Sequence, residues 1–119
     1  MTRDRHRALA VACFALSAIG LVGTWACNIA FLVDPGGLGY LEGWFANAAS
    51  ASASIDLLVT AAAAGIVMLV EGARLGWRRW VWVLVPLSLV TAVACVFPLF
   101  LGLRELALAR REAAAAASA

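Results

Sequence analysis

The stretch Ser54-Ile-Asp-Leu-Leu-Val-Thr-Ala-Ala-Ala-Ala-Gly-Ile-Val-Met-Leu-Val-Glu71 decides the fold. It is too long for a strand and almost wholly apolar, with one acid inside it and another at its end. Read as a helix, the fifteen steps from Asp56 to Glu71 rise roughly 22 Å, against a bilayer hydrocarbon core of about 30 Å. The two carboxylates cannot both stand outside the oil. With Glu71 at one border beside Arg74, Arg78 and Arg79, Asp56 lies roughly 8 Å below the opposite border. An acid at that depth needs a partner or a role in the chemistry.

The remainder of the chain has the same character. Of its 119 residues 65% are hydrophobic and only 13% charged, well outside the range of soluble domains. The predicted fold is an all-α membrane protein with three transmembrane helices and a short interfacial helix in the first loop. The spans are expected at about 8–33, 51–71 and 80–103, within a single domain over 8–103. A basic cytoplasmic tail (1–7) precedes it and a polar, then alanine-rich, tail (104–119) follows. This length admits about three spans, and no separate soluble catalytic domain is expected.

In the first span Cys13, Ser17, Thr24 and Asn28 fall on one stripe, a face suited to close helix contact. Asn28 is the member closest in depth to Asp56. The run resembles an uncleaved span rather than a signal peptide, whose apolar part is typically about 7–15 residues. Asp34-Pro-Gly-Gly37 ends it as a turn. Leu38, Leu41, Trp44 and Phe45 then recur at helical spacing, as a short amphipathic element with Tyr40 and Trp44 at headgroup level, or else as a loop. Asn47, Ser50, Ser52 and Ser54 offer N-caps for the second span. There Ala61, Gly65 and Gly72 form a seam for close packing, Thr60 stands one turn from Asp56, and both acids are expected to face the bundle interior. Pro86 and Pro98 predict bends in the third span, whose small polar face is Ser88, Thr91 and Cys95.

Orientation rests on arginine. With the N-terminus inside, six arginines (3, 5, 7, 74, 78 and 79) lie inside and three (104, 110 and 111) outside, and the first loop has none. The positive-inside rule favours this arrangement. Glu71, Arg74, Arg78 and Arg79 thus mark the inner interface. Asp56, Asn28, Thr60, Arg104 and Glu105 form the candidate intramembrane polar site. A net charge of +2 with arginines at segment ends does not suit nucleic acid. Three cysteines without a C-x-x-C pair are read as packing residues, and His6 as solvated in the basic tail. No metal and no cofactor are expected.

Three motifs, Ser54-Ile-Asp-Leu-Leu-Val-Thr, Val70-Glu-Gly-Ala-Arg-Leu-Gly-Trp-Arg and Ala94-Cys-Val-Phe-Pro-Leu-Phe-Leu-Gly-Leu-Arg-Glu105, resemble a family of small bacterial three-span integral membrane proteins catalogued as a domain of unknown function. The resemblance covers 24–105. It implies a membrane location, three spans and a bacterial inner (cytoplasmic) membrane. It places Asp56, Glu71, Arg74, Pro98, Arg104 and Glu105 on the family's polar and proline positions, and it brings no reaction with it.

The leading functional expectation is a non-catalytic accessory or scaffold subunit or homo-oligomer. Its partners would be the lipid bilayer and either itself or another membrane protein. No phosphate loop, metal-ligand spacing or nucleophile with a base is present in the sequence. An ion- or proton-translocating oligomer using Asp56 is the alternative. A membrane enzyme on a lipid or isoprenoid, with Asp56 or Glu105 as general acid, is the third reading.

Overall fold

The computed structural model describes residues 2–119. Five helices follow in order: α1 (Arg3–Val33), α2 (Tyr40–Trp44), α3 (Ala48–Arg74), α4 (Arg78–Val90) and α5 (Val93–Ser118). No strand occurs among the described residues. Together the helices form a rod of 64 × 23 × 22 Å.

The ends of α1 and α3 follow from their sequences. Asp34 leaves the helical region ahead of Pro35, with φ −138° and ψ 84°, because a residue before proline is driven out of it. Gly36 and Gly37 then turn the chain at φ +59° and +83°, which costs glycine little. α3 opens on Asn47, whose side chain accepts from the Ala49 and Ser50 amides at 2.9 and 3.0 Å. Ser50 Oγ accepts from the Asn47 amide at 3.1 Å, completing a reciprocal cap.

The expected third span, 80–103, is not one rod. It breaks at Thr91 and Ala92, and the chain returns on itself as a helical hairpin. The rings of Trp77 and Phe100 lie edge to face at 6.2 Å between centroids, whereas a continuous helix would hold those positions about 34 Å apart. Val81 of α4 meets Val96 and Phe100 of α5 and Met68 of α3 in the buried core. Two hydroxyls close α4: Ser88 Oγ donates to the Val85 carbonyl at 2.6 Å and Thr91 Oγ1 to the Leu87 carbonyl at 2.8 Å. The Leu87 carbonyl also accepts from the Thr91 amide at 2.9 Å, so Thr91 holds it with both its N–H and its hydroxyl. Pro86 and Pro98 stay inside α4 and α5, so the reversal falls between the prolines rather than at either.

α5 runs back along α1. Ser17 Oγ donates to the Cys95 carbonyl at 2.8 Å, Gly20 lies against the Ala94 carbonyl, and Gly102 receives the Phe14 ring. Contact also continues past 104, where a tail was expected: α5 is helical to Ser118, with Glu105 and Ala109 buried. The glycine seam of α3 takes α4 as its neighbour, Gly65 beside Val85 and Gly72 against Val81. Because Ala94 sits opposite Gly20, the hairpin tip stops partway up α1, and the thirteen residues from 21 to 33 continue about 20 Å beyond it.

Two helices, Arg3–Val33 and Ala48–Arg74, are long and apolar enough to cross a membrane. Their large apolar side chains point outward, among them Val11, Ile19, Val22 and Ile29 on α1 and Ile55, Val59 and Ile66 on α3.

The tightness of the α3–α4 seam predicts a contrast between two glycines. At Gly72 a Cβ would collide with Val81, while at Gly23 it would meet nothing within 4 Å. Gly72→Ala should lower stability in detergent by about 1–3 kcal/mol, as overpacking does, and Gly23→Ala should leave it unchanged or raised. Thermal or denaturant unfolding followed by circular dichroism distinguishes the two.

Candidate functional site

The reversal of the third segment collects all nine arginines at one end of the rod. Arg104 lies beside Glu71, and Arg110 and Arg111 flank Glu112, which faces His6 between Arg5 and Arg7. Arg74, Arg78 and Arg79 surround the α3–α4 turn at the same end. The expected division into six inner and three outer arginines is therefore corrected.

Within this end a chain of ion pairs ties three helices together. His6 Nδ1 is 2.5 Å from Glu105 Oε2 and His6 Nε2 is 3.1 Å from Glu112 Oε1. Arg104 donates from Nη1 to Glu105 Oε1 at 2.7 Å and from Nε to Glu71 Oε2 at 2.8 Å. Arg74 Nη1 donates to Glu71 Oε1 at 2.8 Å. Read along the helices, the chain runs from α1 through α5 to the end of α3. His6, expected to be solvated, is only 4% exposed and Glu105 only 7%. The cause is register: the antiparallel contact sets position 6 against the 105, 109 and 112 face of α5. Arg78 and Arg79 are exposed.

The other end holds a cleft. The half of α1 remote from the arginines (Thr24 and Asn28), the start of α3 (Ser54 and Leu57), α2 and the hairpin tip line a cleft of about 330 Å³. α2 is fastened on both sides. Tyr40 donates to Asn28 Oδ1 at 2.9 Å, and Ser54 Oγ donates to the Trp44 carbonyl at 2.9 Å. The Tyr40 ring also meets Phe31 edge-on at 5.7 Å. The short amphipathic element is thus helical and acts as a strap across the cleft.

Asp56 lies in neither place. Nine steps of about 100° put it roughly 180° round the helix from Gly65, so packing of the glycine seam inward turns Asp56 outward. It is exposed, as is Thr60. Among the described residues no hydrogen bond or ion pair reaches the Asp56 carboxylate. The expected grouping of Asp56 with Asn28, Thr60 and Arg104 in the bundle interior does not form. Arg104 and Glu105 join Glu71 and Arg74 instead, and Asn28 belongs to the cleft. Cys13, Cys27 and Cys95 are free thiols.

Residues 13–106 match the family described as protein of unknown function DUF2834, and the chain belongs to that family. Comparison with curated proteins and with solved structures finds no match. The matched region takes in Glu71, Arg104 and Glu105 and ends short of His6 and Glu112.

The ion-pair chain predicts unequal costs along its length. Glu105→Ala leaves the buried Nδ1 of His6 and one arm of the part-buried Arg104 without their partner and should cost about 3 kcal/mol. Arg74→Ala removes a pair whose guanidinium is 74% exposed and should cost under about 1 kcal/mol. A double-mutant cycle on His6 and Glu105, read by unfolding in detergent, should give a coupling that the Arg74 and Glu71 cycle lacks.

Proposed function

We propose that this member of a family of unknown function is a multi-pass protein of a bacterial inner membrane. On this reading it is set with its arginine end in the cytoplasm and acts as a non-catalytic accessory or scaffold subunit. The observation that carries the membrane reading is the outward turn of the apolar faces of α1 and α3, while every arginine gathers at one end. A helix at a water-exposed surface carries polar residues on its outer face; these carry valine, isoleucine and leucine.

Aromatic side chains support the same placement. Trp80 and Trp82 are exposed beside the arginine end, level with Gly72 through the Val81 contact. Tyr40 and Trp44 cap the other end, level with Ser54 through its bond to the Trp44 carbonyl. The eighteen residues of α3 between those levels rise about 27 Å, close to the ~30 Å of hydrocarbon that such aromatic belts bracket. The α4–α5 hairpin then enters from the cytoplasmic side and turns back, since the thirteen residues of α4 reach only about 20 Å. Its non-helical tip faces the cleft, the setting in which irregular backbone is tolerated at membrane depth.

The accessory role rests on what the polar groups do. Of the two acids a lipid-directed enzyme could use, Glu105 is bound to both His6 and Arg104, and Asp56 lies outside the cleft. The translocation reading already requires an oligomer, and the outward position of Asp56 would set any such path between chains rather than within one.

Two measurements test the proposal. With the native cysteines replaced, single cysteines introduced at positions 2 and 119 should resist an impermeant maleimide in intact cells, while one at Gly36 should react. Labelling of position 119 from outside would overturn the arrangement with both ends inside. Purified from its own host's membranes in mild detergent, the 12.4 kDa chain should migrate in a defined complex with another membrane protein. A chain that runs alone as a monomer would overturn the accessory role.

A further inference from the structure

We infer that the outward face of α3 centred on Asp56 is the docking site for a helix of a different membrane protein, one that carries a lysine or arginine in the outer half of its span. The inference rests on the membrane placement proposed above. Asp56 stands among the exposed apolar side chains of Ile55 and Val59, two residues nearer the arginine end than Ser54, which marks the Tyr40 and Trp44 level. On that placement its carboxylate lies just inside the outer edge of the hydrocarbon, on the side of α3 turned away from the protein's own core. A carboxylate left there among acyl chains is costly, and such groups are retained where something pairs with them.

The protein cannot supply that partner itself. All nine of its cations are at the far end, and Arg104, which reaches Glu71, is fifteen residues of α3 or roughly 22 Å from Asp56 along the helix axis. A second copy fares no better. The same distribution of arginine gives every copy the same orientation in the membrane, so a parallel pair joined through this face sets acid against acid. Charge complementarity therefore selects a chain of different sequence. The strip itself suits a helix: Ser52 and Thr60 lie one turn to either side of Asp56, and Ala63 falls on the same side, small groups that let a neighbouring backbone approach and leave hydroxyls for it. A lysine or arginine reaching from the outer half of a neighbouring span has a stem long enough to set its charged end at this depth.

The test uses the full chain, donor-labelled, in phosphatidylcholine vesicles with an acceptor-labelled leucine-rich single-span peptide. One peptide carries a lysine about one turn inside the end of its apolar stretch; its control carries leucine there. Energy transfer should show the lysine peptide associating about tenfold more tightly than the control, the scale of an interhelical polar contact. Asp56→Leu should abolish the difference, and Asp56→Lys should transfer the preference to a glutamate peptide. Unfolding temperatures equal to the wild type are expected for both variants, since Asp56 is exposed and makes no hydrogen bond or ion pair among the described residues, and the charge-reversal rescue separates docking from misfolding. Equal association of the lysine and leucine peptides with a chain that stays in the vesicles would overturn the inference and leave the membrane placement standing. Self-association of the chain abolished by Asp56→Leu would also overturn it, by making a second copy the occupant. Release of the chain by alkaline carbonate would overturn the membrane placement and the inference together.

Discussion

The reversal at Thr91 and Ala92 determines where every charge in the molecule lies. Had α4 and α5 continued as one helix, Arg104, Glu105 and the residues after them would have emerged on the side opposite Glu71, and His6 would have had no acid to meet. Because the chain turns back, α5 descends along α1 and delivers Arg104 to the end of α3. The turn needs no glycine. Thr91 stays in the right-handed region, and Ala92 takes an extended conformation with φ 174° and ψ 135°, open to any residue.

What holds the hairpin in place depends on the solvent. In water, burying Phe100 and Met68 completely would contribute about 1.5–3 kcal/mol each. Within lipid that driving force is missing, because acyl chains are as apolar as the core, and cohesion comes from close packing and interhelical polar contacts. The glycines at 20, 72 and 102 fit this account, each lying where a Cβ would strike the neighbouring helix. So does the bond from Ser17 to the Cys95 carbonyl. The ion-pair chain at the arginine end adds specificity of register: sliding α5 by one turn along α1 would part His6 from Glu105 and Arg104 from Glu71, and breaking a buried pair costs more than the pair contributes.

The sequence made the long helices legible because their signals are local. The apolar segments expected at 8–33 and 51–71 sit inside α1 and α3, the Asn47 cap begins α3, and the amphipathic spacing around Tyr40 is α2. The third segment misled because its twenty-four apolar residues have the length of one span, and prolines are ordinary causes of a bend. The two hydroxyls that end α4 were visible only as a polar face. Asp56 was misassigned for a different reason. It stands half a turn round the helix from Gly65, and the glycine seam, rather than the acids, governs which face turns inward. His6 was beyond local reading altogether, since its partners are 99 and 106 positions away and follow only from the register of α5 against α1.

A gradient of rigidity runs along the rod as a result. At the arginine end three helices are joined by packed side chains and a continuous run of charged contacts. Beyond the hairpin tip, α1 from 21 to 33 and the first turns of α3 have lost α4 and α5 as neighbours. There the strap formed by α2 links them, through one hydrogen bond to Asn28, one from Ser54, and the Tyr40 ring against Phe31. Segments with few buried contacts open at low free energy, so width changes of the cleft are concentrated in this half. The Asp56 face belongs to the same half. A helix docked there would brace α3 where the protein's own core gives it the least support, and the proposed docking would then act on the cleft through a single element, the half of α3 remote from the arginines.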